Sequence, residues 1–154
     1  MKDMKEFDTP FNTVPFDELK TRDYLPAFKK AIKEAKAEID IIINNPAGPT
    51  FENTVEALEH SFIRKNYLSL IFFNINSAHT NKEIQDAAQI ISPMLTEFSN
   101  DVNLNEKLFK RVKEVYENKD NLNLSTEQQM LLKKTYKDFI RNGINLDKED
   151  KDKF

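Results

Sequence analysis

The sequence predicts an all-α protein, an irregular bundle of about five to six helices with the last one truncated. Three observations carry that prediction. Only two glycines occur among 154 residues. Tight hairpins and phosphate-cradling loops need glycine at special backbone angles, so a β-rich fold or a nucleotide-binding α/β fold is excluded. Apolar residues recur at alternating intervals of three and four, the period of one helix face. The periodic stretches are separated by runs of Asn, Pro and Asp, which end helices without building hairpins.

Residues 1–20 contain Pro and Phe without periodicity and read as an extended lead-in that docks through Phe11 and Phe16; the helical lobe is expected over 21–154. Thr21 is the candidate N-cap of the first helix, with Asp23 in its opening turn where a negative charge meets the helix dipole. Leu25, Phe28, Ile32, Ala35, Ile39 and Ile42 form its stripe, and Pro26 is expected within its first turn, where a missing N–H costs little. The run NNPAGP (44–49) cannot continue that helix. A second helix is expected from near Asn53 to about Ser77, with Val55, Leu58 and Phe62 on one face. Its segment YLSLIFFNI (67–75) is apolar almost all round, which predicts a central buried helix.

Asn81 is the expected cap of a third helix, whose stripe is Ile84, Ala87, Ile91, Leu95, Phe98 and Val102. Pro93 should kink or divide it. Asn105 and Glu106 open a short fourth helix with Leu108, Val112 and Val115 inward. Ser125 and Gln128 make a capping box for a fifth, which carries Leu132, Tyr136, Phe139 and Ile140 and stops at Asn142-Gly143. LDKEDKDKF (146–154) reads as a sixth helix that begins near Asp147 and is not finished.

Composition excludes several function classes. Lys and Arg number 23 against 26 Asp and Glu, a net charge of -3, which is the wrong sign for a phosphate backbone. No basic amphipathic segment favours an anionic membrane surface, and the longest apolar run is far short of the roughly 20 residues that span a bilayer. Nucleic acid and membrane are therefore not expected partners. The absence of cysteine removes disulfides, thiol catalysis and Cys-based zinc fingers. MKDMKEFDTPF (1–11) has no apolar core of a signal peptide, so a cytoplasmic protein is the expectation; a leader removed beforehand would leave no trace.

The residues offer little chemistry. His60 and His79 are the only histidines, and neither belongs to H-E-x-x-H. Glu56 and His60 stand at i,i+4 and could share a helix face, but with no third ligand the pair reads as a solvated face beside Glu59. The acidic pairs Glu56 with Glu59 and Asp147 with Asp150 read as exposed helix charges, and Tyr67, Phe72 and Phe73 as core. No catalytic residue, no metal ligand and no cofactor is expected within this chain. His79, in the loop NSAHTN (76–81), reads as a residue that hydrogen-bonds the helix ends there.

Five strings become specific when taken together: YLPAF (24–28), NPAGPTFENT (45–54), FFNINSAHTN (72–81), LNEKLFKRVKEVY (104–116) and TYKDFIRNGINL (135–146). In this order they resemble the N-terminal region of bacterial peptidyl-dipeptidases (dipeptidyl carboxypeptidases), members of the thimet oligopeptidase-like zinc metallopeptidases. The pattern is closer to that branch than to oligopeptidase A. The resemblance implies a longer parent enzyme that removes C-terminal dipeptides, with its zinc, its H-E-x-x-H motif and a further glutamate beyond this chain. It also implies that the helical lobe forms one wall of a substrate channel and pairs with the catalytic lobe of the same chain, the peptide being the other partner. The unfinished helix at 147–154 then reads as a piece cut from that parent. Asn76 and His79, in the loop between two long helices, are the residues expected to face the channel. The competing expectation is a stand-alone helical protein-interaction module without enzymatic role.

Overall fold

Phe28, Ala31, Ile32 and Ala35 crowd one side of a helix, and in the computed structural model, which describes residues 9–16 and 18–146, that helix is α1 (Thr21–Ile43). Thr21, expected as the N-cap, is instead the first helical residue. Pro26 lies well inside α1 and is exposed, as is Arg22 one turn earlier, so the carbonyl it leaves unbonded is on the wet side. The lead-in corrects the sequence expectation. Phe11 is 98% exposed and Phe16 is also exposed, while Val14 and Leu19 make the contact with the core. Pro10–Asn12 forms a 3-10 turn with Phe11 at φ 60, which points the ring away from the protein.

The second helix starts earlier and differently than expected. Phe51–Glu56 is a π-helical turn, entered through a capping box in which Thr50 Oγ1 accepts from the Asn53 N–H and Asn53 Oδ1 accepts from the Thr50 N–H. It leads into α2 (Ala57–Ala78). α2 is not buried on every side: Leu68, Ile71 and Phe72 are inside, whereas Leu70 is 71% and Ile63 57% exposed. α3 (Lys82–Asn103) is capped by Asn81, whose Oδ1 accepts from the Ile84 N–H at 2.9 Å. Pro93 does not divide α3; it is exposed, so the helix continues past a single lost bond that solvent can replace.

α4 (Glu106–Glu117) and α5 (Thr126–Arg141) follow the sequence closely. Asn105 caps α4 through the Leu108 N–H, and Ser125 with Gln128 forms the expected capping box. α5 ends in a Schellman turn. The Gly143 N–H donates to Ile140 O, the Ile144 N–H donates to Phe139 O, and Gly143 sits at φ 83. Ile144 and Phe139 are both buried, supplying the apolar contact that accompanies this turn. All five α-helices are thus accounted for, with no strand among the described residues. The sixth helix expected over 147–154 lies outside the described residues, as do 1–8 and Asp17 of the lead-in.

The chain divides into two compact units, each with its own core. Among the described residues, one comprises the chain through Lys36 together with Ser61–Thr96. Phe72 is central to it: its ring lies 5.0 Å from Tyr24 and 5.9 Å from Phe28, the latter edge-on, with Ile84 and Ile91 of α3 in the same cluster. Arg64 of α2 pairs with Glu34 of α1 at the margin of that unit. The other comprises Ala37–His60 and the chain from Glu97. Its core joins Phe51 and Val55 of the π-helical turn to Val115 of α4 and Leu132 of α5. A column of rings runs beside it, Tyr136 stacking on Tyr116 at 4.0 Å and on Phe109 at 5.8 Å.

Candidate functional site

The two residues expected to face a channel lie at the C-terminal end of α2. Asn76 is half-buried in the last turn, and His79 is exposed just beyond it. The His79 backbone N–H donates to Ile75 O at 2.8 Å, so the main chain, rather than the ring, closes the helix end. Between His79 and α3 stands Asn81, already committed as the α3 cap. This end of α2 therefore offers an amide and an imidazole, three residues apart, with no carboxylate between them.

Glu56, Glu59 and His60 are exposed, Glu56 on the π-helical turn and the other two on the first turn of α2. Among the described residues no group of three His, Cys, Asp or Glu side chains could hold a metal ion. The donors among the described residues do not make a zinc site. Glu127 is held below the usual carboxylate range by its own backbone N–H and the Ser125 hydroxyl, as expected of an acid at a helix N-terminus. Burial, reinforced by the charge of Asp23, pushes Tyr24 up to about 12.

A dense polar arrangement is one that local sequence reasoning missed. Arg111, projecting from α4, donates through Nη1 to Asn45 O at 3.1 Å and to Ala47 O at 3.3 Å, and through Nη2 to Asn53 Oδ1 at 3.2 Å. Asn53 Oδ1 also accepts from the Thr50 N–H and from the buried Thr54 hydroxyl, while its Nδ2 donates to Gly48 O. Every one of these bonds ends on the segment 45–54, so the arrangement shapes the loop and the start of the π-helical turn rather than offering groups to a ligand. The only sequence signal for it was Thr50 with Asn53 three residues on, a capping pattern in which Asn takes the place of Glu or Gln.

Two open grooves can be described among the described residues. One, of about 500 Å³, lies between the turn at Lys119–Asn121 and α5, lined by Tyr116, Lys119, Asp120, Gln129, Met130 and Lys133 among others. The second, of about 860 Å³, is bounded by Leu19, Lys20, Leu25, Glu83, Ala87 and Ile90 among others. Each is lined by a single carboxylate and neither holds a nucleophile beside a base, so neither has the makings of a hydrolytic centre. No helix among the described residues is long and apolar enough to cross a membrane.

Comparison with known proteins gives these features a context. Residues 28–151 match the family model described as Neurolysin/Thimet oligopeptidase, N-terminal domain. The chain is 37% identical over 142 residues to the dipeptidyl carboxypeptidase of Salmonella typhimurium and 35% identical over 144 residues to that of Escherichia coli. It is 26% identical over 149 residues to oligopeptidase A of Escherichia coli. These alignments cover 92%, 94% and 95% of this chain but only 21%, 21% and 22% of the relatives. The chain thus spans about a fifth of the length of the curated relatives it matches.

Proposed function

The chain belongs to the neurolysin/thimet oligopeptidase N-terminal domain family, and from that premise we propose that it is the non-catalytic helical lobe of a zinc-dependent peptidyl-dipeptidase that releases C-terminal dipeptides from oligopeptides. The observation that carries the reading is the alignment of nearly the whole chain, at 37% identity, with a protein named for dipeptidyl carboxypeptidase activity. Zinc and the residues that work with it belong to the remaining four-fifths or so of such a polypeptide.

In this reading the lobe is one wall of a channel. A wall opposite the catalytic groups excludes folded proteins by size and holds a peptide close to its reacting geometry, an effect worth several kcal/mol, roughly. Its partners are the catalytic lobe of the same polypeptide and the peptide substrate, and its compartment is the cytoplasm. Asn76 and His79 face the peptide: the Asn amide carries both a donor and an acceptor, the pair that an extended peptide backbone requires. The test is peptide hydrolysis by the full-length polypeptide carrying Asn76→Ala or His79→Ala. The proposal expects KM to rise several-fold, roughly one to two lost hydrogen bonds, with zinc content unchanged. Unchanged KM in both variants would remove these residues from the channel.

A further inference from the structure

The exposed stripe of α2 differs from an ordinary solvent face. Ile63, Asn66, Leu70, Asn74 and Ser77 follow one another at helical spacing and are all exposed. None is charged. The whole segment Asn66–Asn81 carries no Lys, Arg, Asp or Glu in a chain that is 32% charged. α4 is the opposite extreme: its exposed positions Glu106, Lys107, Lys110, Lys113, Glu114 and Glu117 are charged without exception. Depletion of charge with retention of large apolar side chains is the composition of a surface that is covered in the assembled protein.

We infer that the Ile63–Ser77 stripe of α2 is a docking surface for the remainder of a longer polypeptide, packed there as helix against helix. The inference rests on the proposed function and deepens it by naming the face through which the lobe is held. The length of the relatives supplies the occupant, since they extend the aligned region about fivefold within one chain. The geometry suits it: residues at steps of three, four, four and three form a ridge about 21 Å long, which a second helix accepts between its own ridges. Asn66 and Asn74 place amides on either side of Leu70, where they fix the register of the partner rather than add attraction.

The absence of cysteine from this chain gives a direct test. In the full-length polypeptide, Leu70→Cys and, separately, Ile63→Cys are exposed to a soluble maleimide, with Lys82→Cys as the reference because Lys82 is 87% exposed and charged. Labelling is read by the mass of the peptide containing each site. Both stripe thiols should label about tenfold or more slowly than the reference, whatever the protein concentration and without added peptide, because only local opening admits the reagent. Equal rates would overturn the inference. Slowing that appears only as protein concentration is raised would assign the face to a second copy, and slowing that appears only with added peptide would assign it to substrate; each overturns it too. Peptide hydrolysis and zinc content in the same preparations separate the two claims. Fast labelling in an active, zinc-loaded polypeptide sinks the docking surface alone, whereas slow labelling in one with neither zinc nor hydrolysis sinks the proposed function alone.

Discussion

Arg111 and Asn53 meet across 58 residues of sequence, Nη2 donating to Oδ1 at 3.2 Å, and the same guanidinium holds the carbonyls of Asn45 and Ala47. α4 thereby fixes the loop that precedes the π-helical turn. Truncating the guanidinium leaves that group of acceptors partly unmet, at a cost of about 2 kcal/mol. Arg111→Ala should lower the urea midpoint accordingly at unchanged slope, and Arg111→Lys should recover little because an ammonium cannot reproduce the fork. Asn53→Ala should be comparably damaging, since it removes the reciprocal half of the capping box and the acceptor of the Thr54 hydroxyl. A shift within error for all three variants would mean that the loop holds itself.

Tyr24 is 2% exposed, its ring 5.0 Å from Phe72, and its hydroxyl has no hydrogen-bond partner among the described residues. Burial is the main reason its proton is held up to about 12, against an ordinary value of 10.0. The folded state therefore binds this proton more tightly than the unfolded state. The associated stability is fully present below pH 10.0 and is lost as pH rises through about 12. Tyr24→Phe should be neutral or stabilising by up to about 1 kcal/mol at pH 7, because it removes a buried group left unbonded. It should also flatten the fall in stability between pH 10.0 and about 12. Thermal unfolding across that window checks both statements, and a Tyr24→Phe protein that is strongly destabilised at pH 7 would show that the hydroxyl has a partner.

The two glycines should respond oppositely to alanine. Gly143 lies at φ 83, where a Cβ is strained, so Gly143→Ala should destabilise by about 1–2 kcal/mol. Gly48 has no positive φ, and a Cβ there meets nothing within 4 Å. Gly48→Ala should be neutral or stabilising by about 0.4–1 kcal/mol through the unfolded chain. Chemical unfolding of the two single variants reads the contrast directly, and equal losses would contradict it.

Features written in local chemistry were legible. Asn81, Asn105 and Ser125 start helices and Gly143 stops one, because each acts on backbone groups within a few residues of itself. The ordered strings at 24–28, 45–54, 72–81, 104–116 and 135–146 resembled peptidyl-dipeptidases, and the comparisons place those relatives at 37% and 35% identity against 26% for oligopeptidase A. Features set by distant packing were not legible. The Arg111 fork depends on a contact that no periodicity encodes, and the π-helical turn at Phe51–Glu56 has the same apolar spacing as an α-helix. The run at 67–75 suggested burial on every side because hydropathy does not say whether the covering element is present, and Leu70 is exposed. Phe11 and Phe16 misled for a related reason: smaller neighbours, Val14 and Leu19, reach the core instead.

The proposed role of the lobe is tested most directly by the hydrolysis of a short peptide. The full-length polypeptide is compared with a form lacking residues 1–154 that is shown to be folded and zinc-loaded. If the lobe is a channel wall, the truncated form keeps its zinc and loses most of its turnover, and the lobe alone cleaves nothing. Full activity and unchanged specificity in the truncated form would contradict that role and leave a helical interaction module as the better description.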